Sequence, residues 1–253
     1  MARLKFASIY AARHGLLSLL VGLLAAAMVF WVWYPPPYRD MLKVGSIFGI
    51  ILVVDVVCGP LLTFILANPR KSRRERVLDF GLVGLIQILA LVYGLHSVWV
   101  ARPAVLAFER DRLVVLSANE IDTDQLAKAP EGLRALPFSG LLRVGTRRAT
   151  GNKEFFESLD VGLAGISPGM RPAWWVPIDT QFDEMRAKAK PVGELIARRP
   201  ESADVLRAAL SQTKLAIEHL VYLPLTSNKS VDWVAIMNAS TLELVAYAPV
   251  DGF

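Results

Sequence analysis

Apolar residues form three nearly unbroken runs in the first hundred positions, 16–33, 44–67 and 80–100. Each falls within the ~17–25 residues a membrane-crossing helix needs. The runs predict three transmembrane helices, with a short segment 1–15 ahead of them. A basic start followed by an apolar run is also the outline of a secretory leader. The first run exceeds a usual leader core, no small-x-small cleavage pattern follows it, and it ends in Trp31, Trp33 and Tyr34, which read as interfacial anchors.

Beyond residue 100 the pattern changes to short polar and apolar alternations. Residues 105–117 predict two strands around a turn at Glu109-Arg110-Asp111-Arg112, and 119–128 one short helix. The Gly- and Pro-rich stretch 141–175 predicts loop with short strands. Thr180-Gln181-Phe182-Asp183 has the outline of a capping box opening helical structure to Arg199, divided at Pro191, and Ser202 is placed to cap a further helix to about Lys214. Segments 219–225, 231–237 and 242–247 predict strands, the last two joined by a turn at Asn238-Ala239-Ser240. The fold class expected is a membrane protein, three transmembrane α-helices followed by a small α+β extracytoplasmic domain with an antiparallel sheet, over residues 101–253.

Charge decides orientation. Up to residue 100 there are ten Lys/Arg against four Asp/Glu, and after it eighteen against nineteen. The basic pI of about 9.4 therefore comes from the membrane half and does not indicate nucleic-acid binding. The segment 1–15 holds three bases and the first loop only Arg39 and Lys43. The second loop, 68–79, holds Arg70, Lys71, Arg73, Arg74 and Arg76. Positive charge stays on the cytoplasmic side. The N-terminus and loop 68–79 are thus expected in the cytoplasm, and 101–253 outside, periplasmic in a bacterium with two membranes. The basic loop could also hold anionic lipid. Tyr34-Pro35-Pro36-Pro37-Tyr38 is expected to be a stiff extended loop.

Candidate chemistry concentrates in the second run, where Asp55 lies near mid-depth ahead of Gly59, Pro60 and Thr63. A carboxyl group there costs at least ~2.5–3.5 kcal/mol on insertion scales, so it has a partner or a task. Pro60 breaks the helical ladder and frees a carbonyl, expected to be that of Val56. On a uniform helical projection Gly45, Gly49, Gly59 and Thr63 share a face with Asp55 at its edge. Gly84, Gln87 and Gly94 share a face of the third run. Gln87 and Tyr93 are at suitable depth to bond Asp55. Packing within the protein, docking of another membrane helix and a proton relay all remain open for this set.

The lone Cys58 excludes an internal disulfide. His14, His96 and His219 lack a second ligand at metal spacing, so no metal site is expected. No nucleophile elbow, phosphate loop or dinucleotide fingerprint occurs, so no catalytic residue and no cofactor are expected. Trp174-Trp175 reads either as an exposed contact or as a core corner.

Tyr34-Pro35, Asp55 with Gly59-Pro60-Leu61-Leu62-Thr63, Lys71, Asp79, Gln87, Ala90-Leu91, Tyr93-Gly94 and Arg102-Pro103 form one pattern. Phe108, Asp111-Arg112, Tyr222-Leu223-Pro224-Leu225 and Asp232-Trp233 extend it. This pattern resembles the TfpX/TfpZ family of type IV pilin accessory proteins at both ends of the chain, and is weak over 127–216. Lys43-Val44-Gly45 departs from a more glycine-rich entry, and Asn238 stands for an Asp. The resemblance implies a chaperone-like, non-enzymatic protein of the bacterial inner membrane. Such a protein supports assembly or display of a major pilin, with that pilin, other pilus assembly proteins and membrane lipid as partners. The alternative is a membrane-anchored envelope enzyme or sensor.

Overall fold

A computed structural model describes residues 2–211 and 213–253. The chain divides into two compact units, Met1–Ala101 and Arg102–Phe253.

The first unit holds three helices long and apolar enough to cross a membrane: α1 (Ala2–Trp33), α2 (Val44–Leu66) and α3 (Arg73–Val100). Two of them start earlier than their apolar runs. In α1 the basic segment is rich in good helix formers and continues the same helix. It is tied down by Tyr10, whose ring lies 5.4 Å from that of Phe80, and by Phe6 beneath the Arg76 guanidinium. In α3 a capping box does the work. Ser72 Oγ accepts from the Glu75 N–H at 3.3 Å, and the Glu75 carboxylate accepts from the Ser72 N–H at 2.7 Å. Outward side chains such as Leu16, Ile50 and Leu89 are exposed, as helices facing hydrocarbon require.

At the other end of this unit the Trp33 and Trp99 rings lie 5.0 Å apart and Tyr34 Oη donates to the Val98 carbonyl at 3.0 Å. The proline run between α1 and α2 is not extended. The Pro36–Pro37 peptide is cis, and the chain folds into a turn and one helical turn, Tyr38–Met41. Burial of Tyr34, Tyr38, Met41 and Leu42 outweighs the extended preference of consecutive prolines.

The second unit is an eight-stranded sheet with helices, the α+β architecture expected. Its strands are β1 (Pro103–Glu109), β2 (Arg112–Ser117), β3 (Leu142–Thr146), β4 (Trp175–Pro177), β5 (Lys190–Pro191), β6 (Leu220–Ser227), β7 (Trp233–Asn238) and β8 (Leu244–Ala248). Their order is β4-β3-β1-β2-β6-β7-β8, with β5 beside β6. Most neighbours are antiparallel, but β1 with β3 and β2 with β6 are parallel, so the sheet is mixed. The β1–β2 turn places Arg110 at φ 60°. The β7–β8 turn is closed by Asn238, whose Oδ1 accepts from the Ser240 N–H at 2.8 Å. An Asp oxygen would accept equally well, which explains why Asn is suitable there.

Among the described residues four α-helices complete the unit: α4 (Asn152–Leu163), α5 (Phe182–Lys188), α6 (Val192–Arg198) and α7 (Ala203–Leu210). Val192, Leu195, Leu206 and Leu210 pack on Leu220, Tyr222, Val234 and Ile236 to form one core. Val105, Ala107, Leu116, Val144 and Trp175 form a second.

Several local expectations change. Residues 119–128 form two 3-10 segments, Ala118–Glu120 and Thr123–Lys128, because Ile121 turns inward and the Asp122 N–H donates to Met170. Thr180 caps nothing. Its hydroxyl donates to the Pro177 carbonyl. Ser202 makes no side-chain cap, and α7 ends at Leu210 rather than near Lys214. The stretch 141–175 contains a full helix, α4. Trp174 and Trp175 are buried, the indole N–H of Trp175 donating to Gly169 at 2.7 Å.

Candidate functional site

The helical projection of α2 fails at one point, and that point creates the site. Val54–Cys58 is π-helical. A π turn adds a residue to the turn and shifts the phase of everything after it. Val44 and Phe48 therefore share the buried face with Asp55, Gly59 and Thr63. Asp55 moves from the edge to the centre, and Gly45 and Gly49 leave the packed face, with no neighbour within contact of an added Cβ.

The same π register explains Gln87. The carbonyl of Asp55 would bond the N–H of residue 60, which proline lacks. Gln87 Nε2 donates to that carbonyl instead, at 2.8 Å. The freed acceptor that finds a side-chain partner is thus Asp55, not Val56. Gly59 makes this possible, because a Cβ there would overlap the Gln87 amide. Gly94 admits Ile51 in the same manner, and Pro60 rests against Gly15. Thr63 meets a residue that the sequence reading passed over, His14 of α1, whose Nδ1 lies 2.5 Å from its Oγ1. His14 stands just ahead of the first apolar run without a second ligand at metal spacing, and only the helix pairing shows its partner.

Asp55 is 7% exposed, yet neither carboxylate oxygen has a hydrogen-bond partner among the described residues. Gln87 Oε1 is unpartnered beside it in the same seam. Tyr93, expected as a partner, is 75% exposed and lies off the face of α3 that Val83, Gly94 and Val98 bury. The seam thus joins Asp55, Gly59, Pro60, Thr63, Gln87 and Gly94, and excludes Tyr93.

The basic loop is an open surface. Arg70, Arg73 and Arg74 are exposed, Lys71 pairs with Asp79 at 2.6 Å, and Arg76 lies over Phe6. Arg102, 6% exposed, donates to the Pro137 carbonyl at 3.0 Å, and its own carbonyl accepts from Ala118. Pro103 starts β1. These two residues order the start of the second unit.

The second unit contributes its own acid. Glu109 Oε1 accepts from Ser167 Oγ at 2.7 Å and the Gly169 N–H at 2.8 Å, and burial pushes its carboxyl above the usual range. Glu154 at the start of α4 is the opposite case. Arg147 grips it through both nitrogens, at 3.0 and 2.6 Å, and Thr150 donates to it twice, which hold it down at about 2.

Comparison with known proteins adds a direction. The family model described as fimbrial assembly protein FimB matches residues 2–43. A serogroup I fimbrial assembly protein of Dichelobacter nodosus is 35% identical over 253 residues, covering 99% of this chain and 98% of that protein. A serogroup E1 counterpart is 33% identical over 252 residues with the same coverage. A third, from serogroups C1 and C2, is 43% identical over 127 residues, 50% of this chain and 97% of that protein. No solved structure matches.

Proposed function

The chain belongs to the fimbrial assembly protein family, and from that premise we propose that it is an inner-membrane accessory factor for a type IV pilus, engaging the cognate major pilin. The N-terminus and loop 68–79 lie in the cytoplasm and residues 101–253 in the periplasm, as the five bases of that loop favour. The chain acts by contact and not by catalysis, in keeping with the name its relatives carry.

One observation carries the mechanism. A buried carboxyl group with two unsatisfied oxygens inside an apolar bundle is costly. A neighbouring transmembrane helix that presents a hydrogen-bond donor at that depth relieves the cost and is thereby selected. The π turn, Pro60 and the close approach at Gly59 fix the group inside the packed seam, so such a helix reaches it by opening that seam. The resemblance to TfpX/TfpZ proteins supports a pilin helix as that neighbour.

Deletion of the gene tests the role. Surface pili are lost or sharply reduced, and the wild-type gene restores them. Unchanged pilus number in the deletion strain overturns the proposal.

A further inference from the structure

Helix α4 is amphipathic, and its apolar stripe is left uncovered among the described residues. Phe155, Phe156, Leu159 and Leu163 form one stripe at helical spacing, and each is between 48% and 81% exposed. No residue of the helix is buried. Five of the exposed large apolar residues of the second unit fall within 155–166, and clustering of this kind marks an interaction surface. The helix is nevertheless fixed, because Glu154 anchors its first turn to Arg147 and Thr150.

The stripe borders a groove of about 1220 Å³, closed on the far side by the β1–β2 turn and the end of α5. The lining as a whole carries more bases than acids. Arg110, Arg112, Arg147, Arg148 and Lys188 line the groove against Glu109, Asp111 and Glu184. Three of these bases are already in salt bridges: Arg112 with Asp111, Arg147 with Glu154, and Arg148 with Glu184. Arg110 and Lys188 enter no salt bridge among the described residues; Arg110 acts only at longer range on Glu109 and Lys188 on Asp111, so both can turn to an incoming charge. Glu109 is committed to Ser167 and Gly169.

We propose that this groove docks a polypeptide segment of a partner protein, apolar along one side and carrying carboxylates along the other. The charge of the lining selects the carboxylates and the stripe supplies the apolar contact. An anionic lipid surface is disfavoured, since the polar face of α4 bears Glu154, Glu157 and Asp160 against Lys153. A second copy is disfavoured for the same reason, because pairing two α4 helices brings like charges together. The inference deepens the proposed function, and rests on it for the identity of the partner as an exposed segment of the pilin.

Two experiments test it on the full-length protein in phosphatidylcholine nanodiscs and in cells. First, a fluorescein-labelled peptide of alternating leucine and glutamate is titrated by anisotropy, with a leucine–lysine peptide for comparison and empty nanodiscs as blank. The acidic peptide binds and added salt weakens it. The basic peptide binds roughly tenfold more weakly or not at all, and Phe155→Ser with Leu159→Ser costs about tenfold. Those substitutions remove no buried side chain, so circular dichroism and melting are unchanged. Equal binding of both peptides, or full binding by the double variant, overturns the proposal.

Second, a photocrosslinking amino acid replaces Leu163 or, as control, exposed Val231. An adduct with pilin from position 163 and not from 231 supports the groove. An adduct at twice the chain's own mass, with lipid only, or with pilin equally from both positions overturns it. If the groove fails while deletion still abolishes pili, only this inference falls.

Discussion

Adding one methyl group at Gly59 is the sharpest perturbation of the transmembrane seam. A Cβ there overlaps the Gln87 side-chain amide, so Gly59→Ala must push Gln87 off the Asp55 carbonyl. Overpacking costs about 1–3 kcal/mol. Loss of an interhelical hydrogen bond inside a membrane adds about 0.6–2 kcal/mol. The better helix propensity of alanine returns about 0.5–1 kcal/mol. The net is a destabilisation near 2 kcal/mol, roughly a thirtyfold shift in the folding equilibrium. Gly49→Ala in the same helix is the control, because nothing lies within contact of its added Cβ and only the propensity gain remains. Unfolding of the purified protein in mixed micelles of rising SDS fraction, followed by tryptophan fluorescence, separates the two. Gly59→Ala shifts the midpoint down and Gly49→Ala leaves it or raises it slightly. Shortening Gln87 to alanine in the Gly59→Ala background removes the clash and makes the pair less than additive. Equal midpoints for the two glycine variants would refute the close approach of α2 and α3.

Further outcomes follow from single contacts. Asp55→Ala lowers pilus number while leaving or raising stability in micelles, since it deletes an unsatisfied buried group. Cys58→Ala, at an exposed position, changes neither, as immunoblots and pilus counts will show. Trp175→Phe leaves the buried Gly169 carbonyl without its 2.7 Å donor and costs about 1–3 kcal/mol, read as a lower midpoint for the second unit in urea. Acid acts through Glu154. Its carboxyl is held at about 2 from an ordinary 4.5, so its contribution is complete above pH 4.5 and is lost as pH falls toward 2. Glu154→Gln removes that part of the acid limb, measured by the ellipticity of the protein against pH. Glu109 has the reverse sign. Its raised value means that its contribution is present below pH 4.5 and fades as pH rises through its folded value.

Hydropathy reveals the three membrane helices because the length of an apolar run translates directly into a span. The strands β1, β2, β6, β7 and β8 are also visible, since they are short apolar runs with turn residues between them. The seam was half visible. Asp55, Gly59, Thr63, Gln87 and Gly94 could be picked by residue type, but their common face required a π turn that no uniform period contains. Gln87 was named as a partner for the carboxyl group and bonds the backbone carbonyl instead. Tyr93 was chosen on depth alone, and depth does not fix the side of a helix. His14 and Thr63 meet only through the packing of α1 on α2, a contact distant in sequence. Helix α4 was hidden because Gly151 and Gly162 suggested loop, while its cohesion comes from Glu154 reaching back to Arg147. The parallel pairings of β1 with β3 and β2 with β6 depend on crossovers over long connections, which local pattern does not encode.

In the proposed mechanism this chain holds pilin at the membrane through the buried carboxyl group of Asp55. Affinity purification of the tagged protein from native membranes, with quantitative mass spectrometry of what accompanies it, measures that most directly. Pilin is enriched with the wild type, unchanged with Cys58→Ala and markedly depleted with Asp55→Ala at equal protein level. Pilin recovered equally with Asp55→Ala, or recovered with none of the three, contradicts that mechanism.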